Sequence, residues 1–256
     1  MLIDTHCHLN DEQLENDTKD IIERAKEHNV KKLVCVGASL SSSVKAVEIA
    51  NEYDNVFAVI GVHPDDANTF NDDILDKLRE LAKNNKKVVA IGEIGLDYHF
   101  VQDNKEAQKQ CFIKQIELAN ELDLPIVIHT RDAMGDTLDI VRKYKDKIKN
   151  GGIFHCFHGS KEVLYEINKM GFYVSYGGAI TFNNANSLRE IVKQTPLDKI
   201  LTETDCPYMA PVPLRGTTNE PKNIDLIFEK MCEIKNISKN ELEKIIENNT
   251  KKIFNI

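Results

Sequence analysis

Eight short runs rich in valine and isoleucine recur along the chain, at residues 2–8, 32–38, 56–63, 87–97, 125–131, 152–157, 172–178 and 200–205. Most are continuously apolar. A strand with one face in water alternates apolar and polar residues, whereas a strand covered on both faces does not, so the pattern predicts a parallel sheet packed between helices. Apolar residues at helical spacing fill the intervals at 14–28, 43–53, 74–83, 106–122, 134–144, 161–170 and 185–194, and again at 224–234 and 238–248. Residues 41–43, Asp72, Asp73 and Asp132 suit helix N-caps, and Ser238 followed by Glu241 fits a capping box.

This alternation predicts an α/β protein, a (β/α)8 TIM-type barrel that occupies residues 1–256 as a single domain. An open doubly wound sheet is the alternative, and the glycine-rich phosphate loop that would favour it does not follow the first run.

The residues able to carry chemistry cluster at the C-terminal ends of the predicted strands, the face on which barrels build their active sites. His6 and His8 are two apart in the first strand, so their imidazoles share a face while Cys7 points away. Glu93 lies within an apolar strand, where a carboxylate is costly to bury unless it is paired or bound to a cation. His129 and His155 end the fifth and sixth strands, and Asp205 ends the eighth, with Glu203 on its face. Barrel closure would gather these four imidazoles and two carboxylates, a nitrogen and oxygen donor set suited to two divalent cations.

The formal charge of −8, from 33 bases and 41 acids, argues against a protein that coats nucleic acid through a broad basic surface. It leaves room for an enzyme that meets phosphate at one site. Six cysteines without a CxxC pair fit reduced thiols; Cys7, Cys156 and Cys206 read as buried apolar thiols facing away from the donors. No secretory signal and no membrane-spanning run is evident, so a cytoplasmic location is expected, with no membrane and no obligate protein partner.

Six segments together resemble the TatD-type metal-dependent deoxyribonucleases, among the amidohydrolase-like metal barrels. They are Ile3-Asp4-Thr5-His6-Cys7-His8-Leu9, Gly61-Val62-His63-Pro64, Gly92-Glu93-Ile94-Gly95-Leu96-Asp97-Tyr98, Ile128-His129-Thr130-Arg131, His155-Cys156-Phe157 and Glu203-Thr204-Asp205-Cys206-Pro207-Tyr208. The resemblance implies that His6, His8 and Asp205 hold one cation, that His129 and His155 hold another, and that Glu93 bridges both, with Mg²⁺, Mn²⁺ or Zn²⁺ as occupants. It implies a hydrolase acting on DNA, at a 3′ end. In this reading Asp205 also orients the attacking water and accepts its proton. His63 and Arg131 are candidates to bind a phosphate oxygen, and Glu203 to assist a further cation or shape the ligand set. The chain departs from the family pattern at Thr217, where lysine is common, and at His158, where serine or threonine is common. His158 or Arg215 would then take over the phosphate contact. Tryptophan is absent, which removes the strongest stacking residue for bases.

The same metal chemistry would also serve an amide, a lactone or a phosphotriester. A non-catalytic binding protein is the third reading, disfavoured because all six ligands are present. If DNA is the substrate, the acidic surplus on the outer helices implies a small footprint, on a single strand or an end.

Overall fold

The computed structural model describes residues 1–99 and 103–256. Eight strands alternate with helices: β1 (Leu2–Cys7), α1 (Thr18–Glu27), β2 (Val30–Val36), α2 (Leu40–Glu52), β3 (Val56–Ile60), α3 (Asp72–Asn84), β4 (Val88–Asp97), α4 (Lys105–Leu122), β5 (Ile126–Arg131), α5 (Met134–Lys143), β6 (Gly152–Phe154), α6 (Lys161–Lys169), β7 (Tyr173–Tyr176), α7 (Asn186–Gln194) and β8 (Ile200–Thr202), followed by α8 (Ile224–Lys235) and α9 (Lys239–Phe254). The strands form one eight-stranded sheet in sequence order, β1 to β8. Strand order, parallel pairing and alternation with helices are those of the (β/α)8 barrel that the sequence predicts. No helix among the described residues is long and apolar enough to cross a membrane.

The chain divides into two compact units, Met1–Cys35 with His155–Ile256, and Val36–Phe154. In the first, β1 pairs with β2 in parallel (Ile3 beside Lys32, Cys7 beside Cys35), and β7 pairs with β8 (Val174 beside Ile200). The first and last strands meet through side chains: Thr5 Oγ1 donates to the Thr202 carbonyl (2.9 Å) and Thr202 Oγ1 to the Ile3 carbonyl (3.2 Å). Helices α8 and α9 cover this seam with Ile224, Phe228 and Ile246, all buried. Each such side chain contributes about 1.5–3 kcal/mol through burial.

In the second unit, β3, β4, β5 and β6 pair in parallel, with Val59 beside Ala90, Ile91 beside Ile126 and Val127 beside Ile153. Every residue of β4 is buried, which explains its unbroken apolar character and makes Glu93 and Asp97 exceptional within it. Gly95 lies at φ 145°, and a Cβ there would stand 1.9 Å from the His129 carbonyl oxygen, so glycine is required where β4 approaches β5.

Strands β3, β6, β7 and β8 are each three residues shorter than the sequence suggests. β6 stops at Phe154 and β8 at Thr202, because Cys156 (φ 44°) and Asp205 (φ 56°) adopt left-handed backbone that no strand continues through. His155 and Asp205 therefore sit just past their strands. Cys156 is half-buried in a turn rather than a fully buried thiol, whereas Cys7 and Cys206 are buried as expected. Helix caps also shift. Ser39, not residues 41–43, closes a capping box with Ser42 on α2, and Asn71 precedes the two aspartates to cap α3. Asp132 makes no cap, since α5 begins after Ala133 without one. Ser238 caps α9 by accepting from the Glu241 N–H (3.3 Å), one half of the capping box that the sequence suggests, and α9 continues to Phe254.

Candidate metal centre

In the first unit, β1 delivers His6, buried, and the residue after its end delivers His8. Their Nε2 atoms lie 3.2 Å apart. Asp205 Oδ1 stands 3.5 Å from His8 Nε2 and 3.8 Å from His6 Nε2. Asp205 reaches them although β8 has ended, because the main chain of its loop is zipped to β1. The Asp205 N–H donates to the His6 carbonyl (2.9 Å), and the His8 N–H donates to the Cys206 carbonyl (2.8 Å). Burial works to raise Asp205, but the hydrogen bond with His8 and the neighbouring His155 and His6 outweigh it and hold the carboxyl below its ordinary value.

His155 stacks on His6 with ring centroids 4.0 Å apart, and its Nδ1 is 3.9 Å from Glu203 Oε1. Donor atoms of His6, His155 and Glu203 lie within 4.8 Å of one another. Glu203 is fully buried; it accepts from the Cys156 N–H (2.5 Å) and from Ser175 Oγ (2.6 Å). Burial pushes it up to about 7, against the pull of His155. Behind these residues Asp4, also buried, accepts from the Thr204 N–H (2.9 Å) and the Thr204 hydroxyl, and burial pushes it up to about 8. Asp4 thus ties β1 to the segment that leads to Asp205.

In the second unit, β4 and β5 bring Glu93 and His129 together. His129 Nδ1 is 2.7 Å from Glu93 Oε1, and Nε2 is 2.9 Å from Asp97 Oδ2. Burial opposes charge on His129, yet Asp97 and Glu93 outweigh it and raise the imidazole to about 10. His63, just beyond β3, places its Nε2 3.7 Å from Glu93 Oε1 and its ring 4.4 Å from that of His129. Donor atoms of His63, Glu93 and His129 also lie within 4.8 Å of one another. The Asp65 N–H donates to His63 Nδ1 (3.2 Å), which in a neutral ring puts the proton on Nε2.

Helix α4 fixes two of these positions. Gln108 accepts from the Asp97 N–H (2.9 Å) and donates to the Asp97 carbonyl (2.8 Å). Seven residues on, Gln115 does the same to Val62, the residue before His63: it accepts from the Val62 N–H (2.8 Å) and donates to the Val62 carbonyl (3.0 Å). Both glutamines are fully buried.

The donor chemistry fits divalent cations. Ligand atoms about 2.0–2.1 Å from a tetrahedral ion are about 3.3 Å apart, close to the 3.2 and 3.5 Å separations at His8. His129, raised because two carboxylates face its two nitrogens, sits where positive charge is favoured. Asp97 on Nε2 would orient the imidazole should Nδ1 hold a cation, as carboxylates do for metal-binding histidines.

Of the residues singled out in the sequence, His6, His8, His155, Glu203 and Asp205 gather in the first unit, and His63, Glu93 and His129 in the second. Arg131 ends β5, exposed. His158 is exposed and donates from Nδ1 to the Cys156 carbonyl; Arg215 is exposed with its guanidinium 4.0 Å above the Phe182 ring. The segment around Thr217 has a structural part in its Asn219. Fully buried, Asn219 donates to the carbonyls of Thr204 (2.9 Å) and Tyr208 (2.8 Å) and so braces the loop that carries Asp205.

Residues 3–255 match the family described as TatD related DNase. The chain is 45% identical to the uncharacterized metal-dependent hydrolase YabD of Bacillus subtilis (strain 168), covering 100% of both chains. It is 38% identical to the uncharacterized metal-dependent hydrolase YcfH of Escherichia coli (strain K12), covering 100% of this chain and 96% of that one. The crystal structure of YjjV, a TatD homologue from Escherichia coli K12, superposes with a TM-score of 0.93 at 28% identity, covering 100% of this chain and 98% of the other.

Proposed function

Because the chain belongs to the TatD related DNase family and is a metal-dependent hydrolase, we propose that it hydrolyses phosphodiester bonds of DNA, working from a 3′ end. The observation that supports this most is the convergence of His6 Nε2, His8 Nε2 and Asp205 Oδ1. Divalent cations, two per chain by the resemblance and drawn from Mg²⁺, Mn²⁺ or Zn²⁺, supply Lewis acidity to a phosphoryl oxygen and to water when bound. His6, His8, His155 and Asp205 are the donors offered by one unit, Glu93 and His129 those offered by the other.

Asp205, held below its ordinary value, is ionised at neutral pH and can orient the attacking water and accept its proton. His63 can offer an Nε2–H, the tautomer that its bond from the Asp65 N–H favours, to a phosphoryl oxygen. Arg131 offers a two-pronged donor to the same group. His158 has its Nδ1–H engaged with Cys156, so its neutral ring presents an acceptor at Nε2. It therefore suits a hydroxyl of the substrate better than a phosphate oxygen. The footprint is small, a single strand or strand end, as befits a chain of net charge −8.

The test is a metal-replete assay on 3′- and 5′-labelled single-stranded DNA beside RNA, amide and phosphotriester substrates. Stepwise shortening of the 5′-labelled strand is expected. Cleavage of the amide or phosphotriester alone would overturn the reading.

A further inference from the structure

A cavity of about 620 Å³ opens in the unit that carries His6, His8 and Asp205. Sites for small organic ligands span about 300–1,000 Å³. One side of the cavity is apolar, with Phe182, Leu188 and Ile191; His158, Lys161 and Asn184 supply polar groups around it. Phe182 carries the Arg215 guanidinium over its ring.

Each part of this lining makes a separate demand on an occupant. An aromatic ring beside branched aliphatic side chains accepts a flat apolar face. Lysine and arginine at the same place ask for an anion within a few ångströms of that face. Asn184 can read a polar edge, and the unprotonated Nε2 of His158 can accept from a hydroxyl. A flat heteroaromatic ring, a hydroxylated sugar and a phosphate joined in one molecule satisfy all four. His158 also links the cavity to the donor set, since it lines the cavity three residues after His155 and is held to the Cys156 carbonyl, next to that histidine.

Resting on the phosphodiesterase reading above, we propose that this cavity holds the nucleoside next to the scissile phosphodiester. The base packs on Phe182, Leu188 and Ile191, and Lys161 and Arg215 meet its phosphates. Phe182 thereby takes the stacking role that no tryptophan is present to fill.

The experiment follows the fluorescence anisotropy of 2-aminopurine deoxynucleoside 5′-monophosphate with the full-length protein, without added metal. Wild type should bind saturably. Phe182→Ala should weaken binding at least tenfold and Phe182→Tyr should restore it. Ser187→Phe, on the exposed first turn of α7 at the cavity, fills the space without disturbing the core and should also weaken binding at least tenfold. The same two weakening variants should raise KM on labelled single-stranded DNA. Displacement of the probe by inorganic phosphate as readily as by deoxyadenosine monophosphate would reduce the cavity to an anion site and overturn the proposal. DNA cleavage by wild type, with nucleotide binding absent or indifferent to both variants, overturns the cavity assignment alone. Variant-sensitive binding without any DNA cleavage instead overturns the phosphodiesterase reading and supports a nucleotide cavity.

Discussion

Asp97 Oδ2 lies 2.9 Å from His129 Nε2, on the opposite side of the ring from Glu93. The pairing sets which nitrogen of His129 would meet a cation, because Nε2 faces Asp97 and Nδ1 faces Glu93. Asp97→Asn keeps the shape and an acceptor oxygen but removes the charge that makes Nδ1 a strong donor. The expected result is a loss of metal affinity of about 10–100-fold, the usual range for such supporting carboxylates, with far-UV circular dichroism unchanged. Calorimetric metal titration checks it. An unaltered affinity would show that Asp97 serves only to hold β4 against β5.

The two glutamines of α4 each grip both main-chain groups of one residue near the site, which makes a different prediction. Gln108→Ala strips both main-chain groups of Asp97 of their buried partners, and Gln115→Ala does so for Val62. Each unsatisfied buried group costs about 1–3 kcal/mol, so both variants should lower the urea midpoint clearly. Their functional effects should part. Gln108 stands behind Asp97 and His129, so its loss should weaken metal binding; Gln115 stands behind His63, so its loss should raise KM for DNA with less effect on metal content.

Asn219 braces the loop of Asp205 from behind through the carbonyls of Thr204 and Tyr208. Asn219→Asp keeps the size but replaces the donating amide with oxygens that face two carbonyls. It should destabilise the fold by about 1–3 kcal/mol and weaken metal binding at His6, His8 and Asp205. Thermal unfolding with and without added metal measures both. A smaller gain in Tm on metal addition than in wild type is expected; an equal gain would confine Asn219 to a role in stability.

The six candidate ligands stand out in the sequence because each lies within or at the end of an apolar run, where a charged or imidazole side chain is conspicuous. The strand order was legible because the fully buried strands of a parallel sheet leave continuous valine and isoleucine runs. The supporting residues were not. Gln108 and Gln115 are polar residues in an amphipathic helix, and the pattern that marks them as buried is their grip on main chain about 11 and 53 positions away, which leaves no periodic trace. Asp97 is the last residue of its strand and resembles a strand-ending acid until β5 is seen beside it. In the segment Arg215 to Pro221 the eye goes to the missing lysine at 217, whereas the structural work falls to Asn219 two positions on.

Glu220, next to Asn219, accepts from Arg24 Nε (2.8 Å) and lies 3.3 Å from Lys222 Nζ. Burial works to raise its carboxyl, but Arg24 and Lys222 outweigh it and leave it below the ordinary value. A carboxylate lowered by folding contributes stability above its unfolded pKa, about 4.3, and loses it as pH falls through the lower folded value. Both partners are partly exposed, so the contribution is about 0.2–1 kcal/mol. Glu220→Gln should therefore be slightly less stable than wild type at pH 7 and indistinguishable from it well below about pH 4. Urea unfolding at both pH values decides it, and a gap that widens on acidification would overturn the sign.

The charge balance gives the last prediction. Among the residues argued to meet DNA, the fixed cations are Arg131 at the end of β5 and Lys161 and Arg215 at the cavity. The chain as a whole carries a net charge of −8 with these three cations counted, so the rest of it adds no broad attraction. Binding to a single strand loses affinity with salt at a logarithmic slope of about −0.7 for each phosphate neutralised. Two or three contacts thus give a slope of about −1.4 to −2.1. Measured by anisotropy of a labelled oligonucleotide without catalytic metal, a slope in that range fits a grip confined to the scissile end, and Arg215→Ala should make it shallower by about one contact. A slope steeper than about −4 would require six or more phosphates and hence a basic track elsewhere on the surface.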